Sequence, residues 1–251
     1  MYSPAFRSLS TAPLSQVASV LIARNLSLAP RVVQVQALEL MRTKHLYTHH
    51  GRHVMPTPFL LIAVLAADGP TLTEHLNAHI FISHAHDIED GYPNLDDLAS
   101  ADDASISSVI RKPGHLVPSN KPLISQEEII SLREAAEPVT ITTEVHRYFI
   151  DIISYLRIHR FVARGISPLS TKHCLQLCKS LAPLHGLEFV TPALVALAAK
   201  KIYRHRVEVV TPGGERSTQW GSRIEDVAEL LEGVTAEGVI EDVLGSVEVP
   251  L

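Results

Sequence analysis

Apolar residues in the first third of the chain follow the spacing of an α/β fold. Residues 17–23 and 59–67 are short apolar runs, each typical of a buried strand. Between them, apolar residues at helical spacing follow Pro30, which suits the first turn of a helix, and the polar stretch 45–54 predicts a hairpin or loop. A β-like run at 79–85 adds a third strand. The order of strands and helices predicts a parallel sheet.

The pattern changes over residues 86–122, which are acidic, rich in serine and broken by proline and glycine. This composition predicts a linker or flexible insertion. Residues 1–16 are predicted to be disordered. They are rich in serine, carry an arginine and lack acidic residues, so a mitochondrial presequence is one interpretation. A truncated gene model or an internal start is another.

Helical patterns dominate from residue 123 to residue 210. Four helices joined by short connections predict a compact bundle. Capping serines and threonines, together with prolines, mark the ends of these helices. The predicted marks are Ser125 and Glu128 as a capping box, Pro138 as a stop, Thr142 or Thr143 as a cap, Ser170–Leu184 as the third helix, and Thr191-Pro192 as the start of the fourth.

Residues 211–251 form a predicted C-terminal helical tail. After a glycine-rich loop, residues 223–231 and 236–244 carry apolar residues at helical spacing. We expect these apolar stripes to dock on a neighbouring surface. They consist of Val227, Leu230 and Leu231 in the first helix, and of Val239, Ile240 and Val243 in the second.

The composition is that of an ordinary globular protein, since 46% of the 251 residues are hydrophobic and 20% are charged. The net charge of −5 gives no electrostatic reason to expect nucleic-acid binding. The longest apolar run, 59–67, is too short to cross a bilayer, so no membrane association is expected. Cys174 and Cys178 lie one helical turn apart and are interpreted as core residues in a reducing compartment, which favours the cytoplasm.

Histidines are frequent, with 14 in the chain. His84 and His86 would share one face of a strand, and Asp87 would offer a third ligand to a metal ion. No HExxH or CxxC motif accompanies them. We therefore interpret them as surface and loop histidines and expect no metal site, with metal binding as the alternative.

The helical stretch 123–210 resembles the lid domain of AAA+ ATPases of the MoxR and magnesium chelatase subunit I type. The order and spacing of its helices fit the lid pattern of that family. The resemblance implies an all-α, four-helix lid domain. Its most distinctive residues are Tyr148, Asp151, Gly165-Ile166-Ser167-Pro168, Val190-Thr191-Pro192 and His205-Arg206.

Residues 17–82 resemble the second half of the ATPase core of the same family. The resemblance implies a partial, degenerate α/β core over residues 17–85, with an incomplete parallel sheet and helices. It also implies ATP with Mg²⁺ as cofactors, ring-type oligomers and a protein client. The agreements with the family pattern are Ala29-Pro30, Gln34, Leu38 and Glu39.

The residues that this family uses to hydrolyse ATP are substituted. The phosphate-binding motif GxxxxGK[ST] occurs nowhere in the sequence. Where the resemblance places the metal ligand and the water-activating base, the chain has Arg24 and Asn25. An arginine repels Mg²⁺ and an asparagine cannot take a proton from water, so we predict no catalytic residue. The sensor 1, arginine-finger and sensor 2 positions hold Ala66, Ala78 and Leu169.

Lys172 is the candidate nucleotide-binding residue. It follows Leu169 by three positions and lies on the same predicted helix face. From there it would approach a phosphate group in place of the sensor 2 arginine. The alternative is a solvated lysine on the helix surface.

Three hypotheses for the function remain open. The first is an AAA+ relative that cannot hydrolyse ATP alone and acts as an assembly or scaffold subunit of a homo- or hetero-oligomer. The second is a fragment of an active ATPase, such as a magnesium chelatase-like or remodelling enzyme. The third is a helical protein-interaction module without a nucleotide role.

Overall fold

The chain forms two compact units, Met1–Phe81 and Ile82–Leu251. The predicted disordered N-terminus and acidic linker, with His86 and Asp87, lie outside the residues that the structure describes. The N-terminal unit holds a small sheet, and the C-terminal unit holds a helical bundle. The structure, a computed structural model, describes residues 18–48, 51–66, 69–85 and 124–250.

Short strands and helices alternate in the N-terminal unit. In chain order they are β1 (Val20–Arg24), α1 (Arg31–Thr43), β2 (His45–Thr48), β3 (Gly51–Val54), β4 (Leu60–Val64) and α2 (Glu74–His79). β1 and β4 pair in parallel, with Val20 opposite Leu60. β2 and β3 form an antiparallel hairpin. The predicted parallel pairing and the hairpin are thus confirmed.

The parallel sheet has two strands and is largely open among the described residues. Ala23 and Ala63 pack against a small core that contains Leu76. Successive residues of a strand point to opposite faces, and the neighbours Leu21 and Ile22 are 43% and 60% exposed. Parallel sheets are normally covered on both faces. The unit therefore contains part of a sheet, in agreement with the incomplete parallel sheet that the resemblance implies.

Gln34 is a buried polar residue of α1. Its Nε2 donates to the carbonyl oxygens of Ser27 and Ala29 at 3.3 and 3.1 Å, and its Oε1 accepts from the N–H of Thr73 at 2.9 Å. A buried amide side chain is costly unless its donors and acceptors are satisfied. Gln34 thereby ties α1 to the turn before it and to the segment that leads into α2.

The prediction of a third strand at 79–85 is wrong. His79 belongs to α2, and the N–H of Ile80 still donates to the carbonyl oxygen of Leu76 at 3.2 Å. In the C-terminal unit, the N–H of Ser83 donates to the carbonyl oxygen of Lys201 at 3.1 Å. These backbone groups bond to helices, and in the described ranges no strand pairs with the run. Its β-forming composition alone is therefore not enough to make a strand.

Helices make up most of the C-terminal unit. They are α3 (Gln126–Ala136), α4 (Thr143–Ile158), α5 (Pro168–Leu184), α6 (Pro192–Tyr203), α7 (Ile224–Leu231) and α8 (Ala236–Ser246). α5 packs against α3 and α6, and α4 also contacts α6. The predicted helical lid is confirmed.

Hydroxyl side chains begin the four bundle helices. Ser125 Oγ accepts from the N–H of Glu128 at 3.1 Å, and Thr142 and Thr191 cap α4 and α6 in the same way. These caps were predicted, and each satisfies a backbone donor that the helix itself leaves open.

The third helix begins earlier than predicted. Ser167 Oγ accepts from the N–H of Ser170 at 3.2 Å, so α5 starts at Pro168 instead of near Ser170. Proline fits this first position because no helical hydrogen bond needs its missing N–H.

The C-terminal helices differ in how well they are covered. α8 packs against α4 and α6, and its predicted stripe of Val239, Ile240 and Val243 is buried. In α7, Val227 is buried but Leu230 is 43% exposed. The 3₁₀ helix Arg216–Trp220 precedes α7 and ends at Trp220, which is 90% exposed. The bundle itself is therefore the docking surface of α8, whereas α7 stays largely open.

A strand pair and a buried carboxylate were not predicted. β5 (Val162–Arg164) pairs antiparallel with β6 (Glu208–Val209). Glu215 is 1% exposed and accepts from Arg160 Nε at 2.8 Å and from the N–H of Ser217 at 2.8 Å. Hydrogen bonds lower the pKa of Glu215 from 4.5 to about 2. The bond from Arg160 has the largest effect, and the bond from Ser217 has the next largest. The carboxylate thus joins the end of α4 to the segment before α7.

We expect Glu215→Gln to lower stability and to weaken its dependence on pH. The folded pKa of about 2 lies below the ordinary 4.5. The carboxylate therefore contributes fully above pH 4.5 and loses its contribution as the pH falls toward 2. Urea unfolding followed by circular dichroism at about pH 7 and about pH 3 measures this. Glu188→Gln, at an exposed position, is the control. Equal pH dependence in the wild type and Glu215→Gln would contradict the prediction.

Candidate functional site

The carboxyl ends of β1 and β4 lie side by side at one edge of the sheet. Arg24 is opposite Val64, and the N–H of Asn25 donates to the carbonyl oxygen of Val64 at 2.8 Å. Asn25 has a φ of 54°, in the left-handed region that asparagine tolerates. Ala66 lies two residues after the end of β4. The structure thus brings Arg24, Asn25 and Ala66 to the same edge, and all three are exposed.

These side chains do not fit ATP with Mg²⁺. Mg²⁺ takes oxygen ligands, chiefly carboxylates, phosphates and waters, whereas Arg24 brings a positive charge. The amide of Asn25 cannot take a proton from a water molecule, and Ala66 has no polar side-chain group. Among the described residues of this edge, these three side chains therefore supply neither the metal ligand nor the base that transfer of a phosphoryl group to water requires.

The position that the resemblance assigns to the arginine finger lies in α2. Ala78 is half-buried there, and its methyl group carries no charge. The Nδ1 of the neighbouring His79 lies 3.1 Å from the carbonyl oxygen of His75. The position therefore supplies no permanent cation to a phosphate group.

The position that the resemblance assigns to sensor 2 lies at the start of α5. Leu169 is half-buried there, whereas Lys172, nearly one helical turn further on, is exposed. In the part of the chain that the structure describes, the Lys172 side chain makes no hydrogen bond or ion pair. Arg157 of α4 lies close by, because its Nη2 donates to Thr171 Oγ1 at 3.3 Å. The surface around Thr171 thus presents two exposed cations but no buried phosphate site.

The loop before α5 passes against the turn after α6. Gly165 has a φ of 120°, and a Cβ at this position would lie 1.9 Å from the carbonyl oxygen of Arg206. Only glycine is compatible with both the conformation and the contact. Two of the distinctive sequence segments, which are far apart in the chain, therefore meet in the folded bundle.

Buried polar groups surround this contact. Arg206 is 4% exposed, and its Nη2 lies 2.8 Å from Nδ1 of His173. Burial lowers the pKa of Arg206 to about 10 and raises the pKa of Tyr203. Cys174 and Cys178 are free and buried, as predicted for core residues. Hydrogen bonding to Cys178 and burial raise the pKa of the Cys174 thiol, so it is a poor nucleophile at neutral pH.

The other distinctive lid residues also serve the fold. Tyr148 and Val190 are buried, and Thr191 caps α6. Asp151 forms an exposed ion pair with Arg147 at 3.9 Å. The lid signature therefore consists largely of residues that shape the bundle.

Of the residues weighed as metal ligands, His84 lies in the described part of the chain, whereas His86 and Asp87 do not. Lys201 Nζ lies 2.9 Å from His84 Nδ1, and His205 Nδ1 lies 2.9 Å from Ser83 Oγ. Residues 82–85 form no strand, so His84 does not lie on the strand face that the metal alternative assumed. Within the described ranges, no three His, Cys, Asp or Glu side chains are grouped closely enough to hold a metal ion.

Sequence reasoning also missed an open groove of about 620 Å³ between residues 209–212 and α7. The amphipathic pattern of α7 was the available signal. The pattern identified a docking face, but it could not show that the rest of the bundle leaves that face open.

Comparisons with known proteins agree with this geometry. The AAA lid domain family matches residues 154–229. Chaperone MoxR1 of Mycobacterium tuberculosis is 25% identical over 205 residues, which cover 76% of this chain and 51% of MoxR1. Maintenance of telomere capping protein 2 of Lachancea thermotolerans is 32% identical over 115 residues, covering 44% of this chain and 40% of that protein.

A crystal structure of a proposed ATPase from Cytophaga hutchinsonii matches with a TM-score of 0.66 at 16% identity, covering 93% of this chain and 67% of that one. Part of a parallel sheet and a helical lid are the architecture of an AAA+ protein. The lid-domain match, the similarity to MoxR1 and the shared fold together support a MoxR-like AAA+ protein. It spans 51% of MoxR1 and 40% of the telomere capping relative.

No helix among the described residues is both long enough and apolar enough to cross a bilayer.

We expect Gly165→Ala to lower the free energy of unfolding by about 2 kcal/mol or more, because both the positive φ and the contact with Arg206 oppose a Cβ. Gly186→Ala is the matched control, since Gly186 has a φ of 69° but open space around it. Its cost should be about 1 kcal/mol. Urea unfolding followed by circular dichroism gives both values. A Gly165→Ala protein as stable as Gly186→Ala would show that the close contact is unimportant.

Proposed function

We propose that this chain is an AAA+ relative that does not hydrolyse ATP alone and acts as an assembly or scaffold subunit of an oligomer. The observation that carries the proposal is the shared edge of β1 and β4, where Arg24, Asn25 and Ala66 lie together. In a hydrolysing member of the family, these positions hold a metal ligand, a base and a polar sensor. A protein client is proposed from the family as well.

The expected loss of rate is large. An arginine finger alone contributes about 10³–10⁵ to the rate, which corresponds to roughly 4–7 kcal/mol of activation free energy. Here Ala78 replaces that finger, and the base and the metal ligand are missing too. Turnover by the chain alone should therefore not exceed the background rate.

The lid supports an assembly role because its shape does not depend on nucleotide chemistry. The contact between Gly165 and Arg206 and the cap at Ser167 fix the start of α5. Leu169, at the position that the resemblance assigns to sensor 2, takes part in neither contact. A bundle of this kind can hold neighbouring subunits while it contributes nothing to catalysis.

Binding of nucleotide through Lys172 belongs to the same proposal. Lys172 is exposed, and Arg157 lies beside it through Thr171. Two cations at the start of α5 would attract the phosphates of ATP. Because these two cations would contact the phosphates directly, such binding should not depend on Mg²⁺.

Two alternatives remain as outcomes of the test. A magnesium chelatase-like or remodelling activity would require turnover, by this chain or with groups supplied by a partner. A helical interaction module without a nucleotide role would bind no ATP at all.

We expect the purified chain to bind ATP weakly, with the same affinity in Mg²⁺ and in a chelator, and to release no phosphate. Equilibrium dialysis and a phosphate-release assay measure the two quantities. Lys172→Ala should weaken binding by about fivefold, roughly the loss of one exposed ionic contact. The matched control is Lys179→Ala on the same helix.

Phosphate release above background by the chain alone would overturn the proposal. Absence of any ATP binding would remove the nucleotide part and favour the interaction module. Equal losses in Lys172→Ala and Lys179→Ala would show that Lys172 has no particular role.

A further inference from the structure

α7 is an amphipathic helix whose apolar face is mostly uncovered. Ile224, Val227, Ala228 and Leu231 are spaced to share one face of the helix. Of these, Val227 is buried, whereas Ile224 is 57% exposed. A helix of this kind usually has its apolar face packed against another surface.

The uncovered face borders the groove formed by residues 209–212 and α7. Val209, Val210 and Pro212 line one side of the groove, and Ala228 and Leu231 line the other. Its volume of about 620 Å³ falls in the range of protein sites that bind ligands. The groove is therefore large enough for several apolar side chains of a partner.

Two of the residues that line the groove are acidic. Glu229 and Glu232 line it, and Glu225 and Asp226 precede them on α7. Arg223 pairs with Glu225 at 3.7 Å. Glu229 and Glu232 form no ion pair within the described part of the chain. The groove thus combines apolar lining residues with two carboxylates that are not neutralised by an ion pair.

The negative charge of the groove favours some classes of partner over others. A second copy that used the same face would place carboxylates against carboxylates, because a two-fold interface brings equivalent surfaces together. Anionic lipid headgroups and nucleic acid would be repelled for the same reason. A peptide that carries both apolar and basic side chains complements the apolar lining residues and the two carboxylates together.

We propose that the groove between residues 209–212 and α7 binds a segment of a partner protein that combines apolar and basic side chains. The apolar side chains cover Ala228 and Leu231, and the basic side chains meet Glu229 and Glu232. This site requires neither nucleotide binding nor hydrolysis, so it can be tested independently of the proposed function.

The test uses the full chain and two short fluorescent synthetic peptides, read by fluorescence anisotropy. One peptide alternates Leu and Val with Lys and Arg. The other has Glu in place of every Lys and Arg. The basic peptide should bind at least about tenfold more tightly than the acidic one, and added salt should weaken its binding.

The double variant Glu229→Lys with Glu232→Lys should weaken binding of the basic peptide by at least about tenfold. Glu134→Lys with Glu188→Lys makes the same charge change at exposed positions elsewhere in the unit and should leave binding nearly unchanged. Circular dichroism checks that each variant is folded.

Three results would overturn the proposal. They are failure of the basic peptide to bind the wild-type chain, equal binding of the two peptides, and equal losses in the two double variants. If the groove variant fails to fold, the comparison of the two peptides on the wild-type chain still decides the question.

Discussion

Gly165 and the backbone of Arg206 lie so close together that no side chain fits between them. This contact sets the start of α5 against the end of α6, since Ser167 begins α5 two residues after Gly165 and Arg206 lies three residues beyond α6. Arg206 and Tyr203 are buried as a result. Much of the lid geometry therefore depends on one residue that has no side chain.

In this chain, the residues that hold the fold differ from the residues exposed at the edge of the sheet. Gln34 and Gly165 satisfy or permit backbone contacts inside their units, whereas Arg24, Asn25 and Ala66 lie exposed at the ends of strands. Exposed positions contribute little to stability. The residues at this edge of the sheet can thus change at almost no energetic cost to the fold.

The features that could be predicted from the sequence are those that depend on residues close together in the chain. Ser125, Thr142 and Thr191 cap helices through hydrogen bonds to residues three positions away, so their roles are visible in the sequence. The run at 79–85 misled because its β-forming residues say nothing about the presence of a partner strand. The pairing of Arg160 with Glu215 joins residues 55 positions apart, and the groove beside α7 depends on how the bundle leaves that helix uncovered. Neither is encoded in local spacing.

Trp220 has an optical consequence. It is the single tryptophan of the chain and is 90% exposed, so its indole ring is already surrounded by water in the native state. Its emission spectrum should therefore change little when the chain unfolds, and a fluorescence melting curve would understate the transition. Tryptophan fluorescence of this protein is thus a poor probe of its folding.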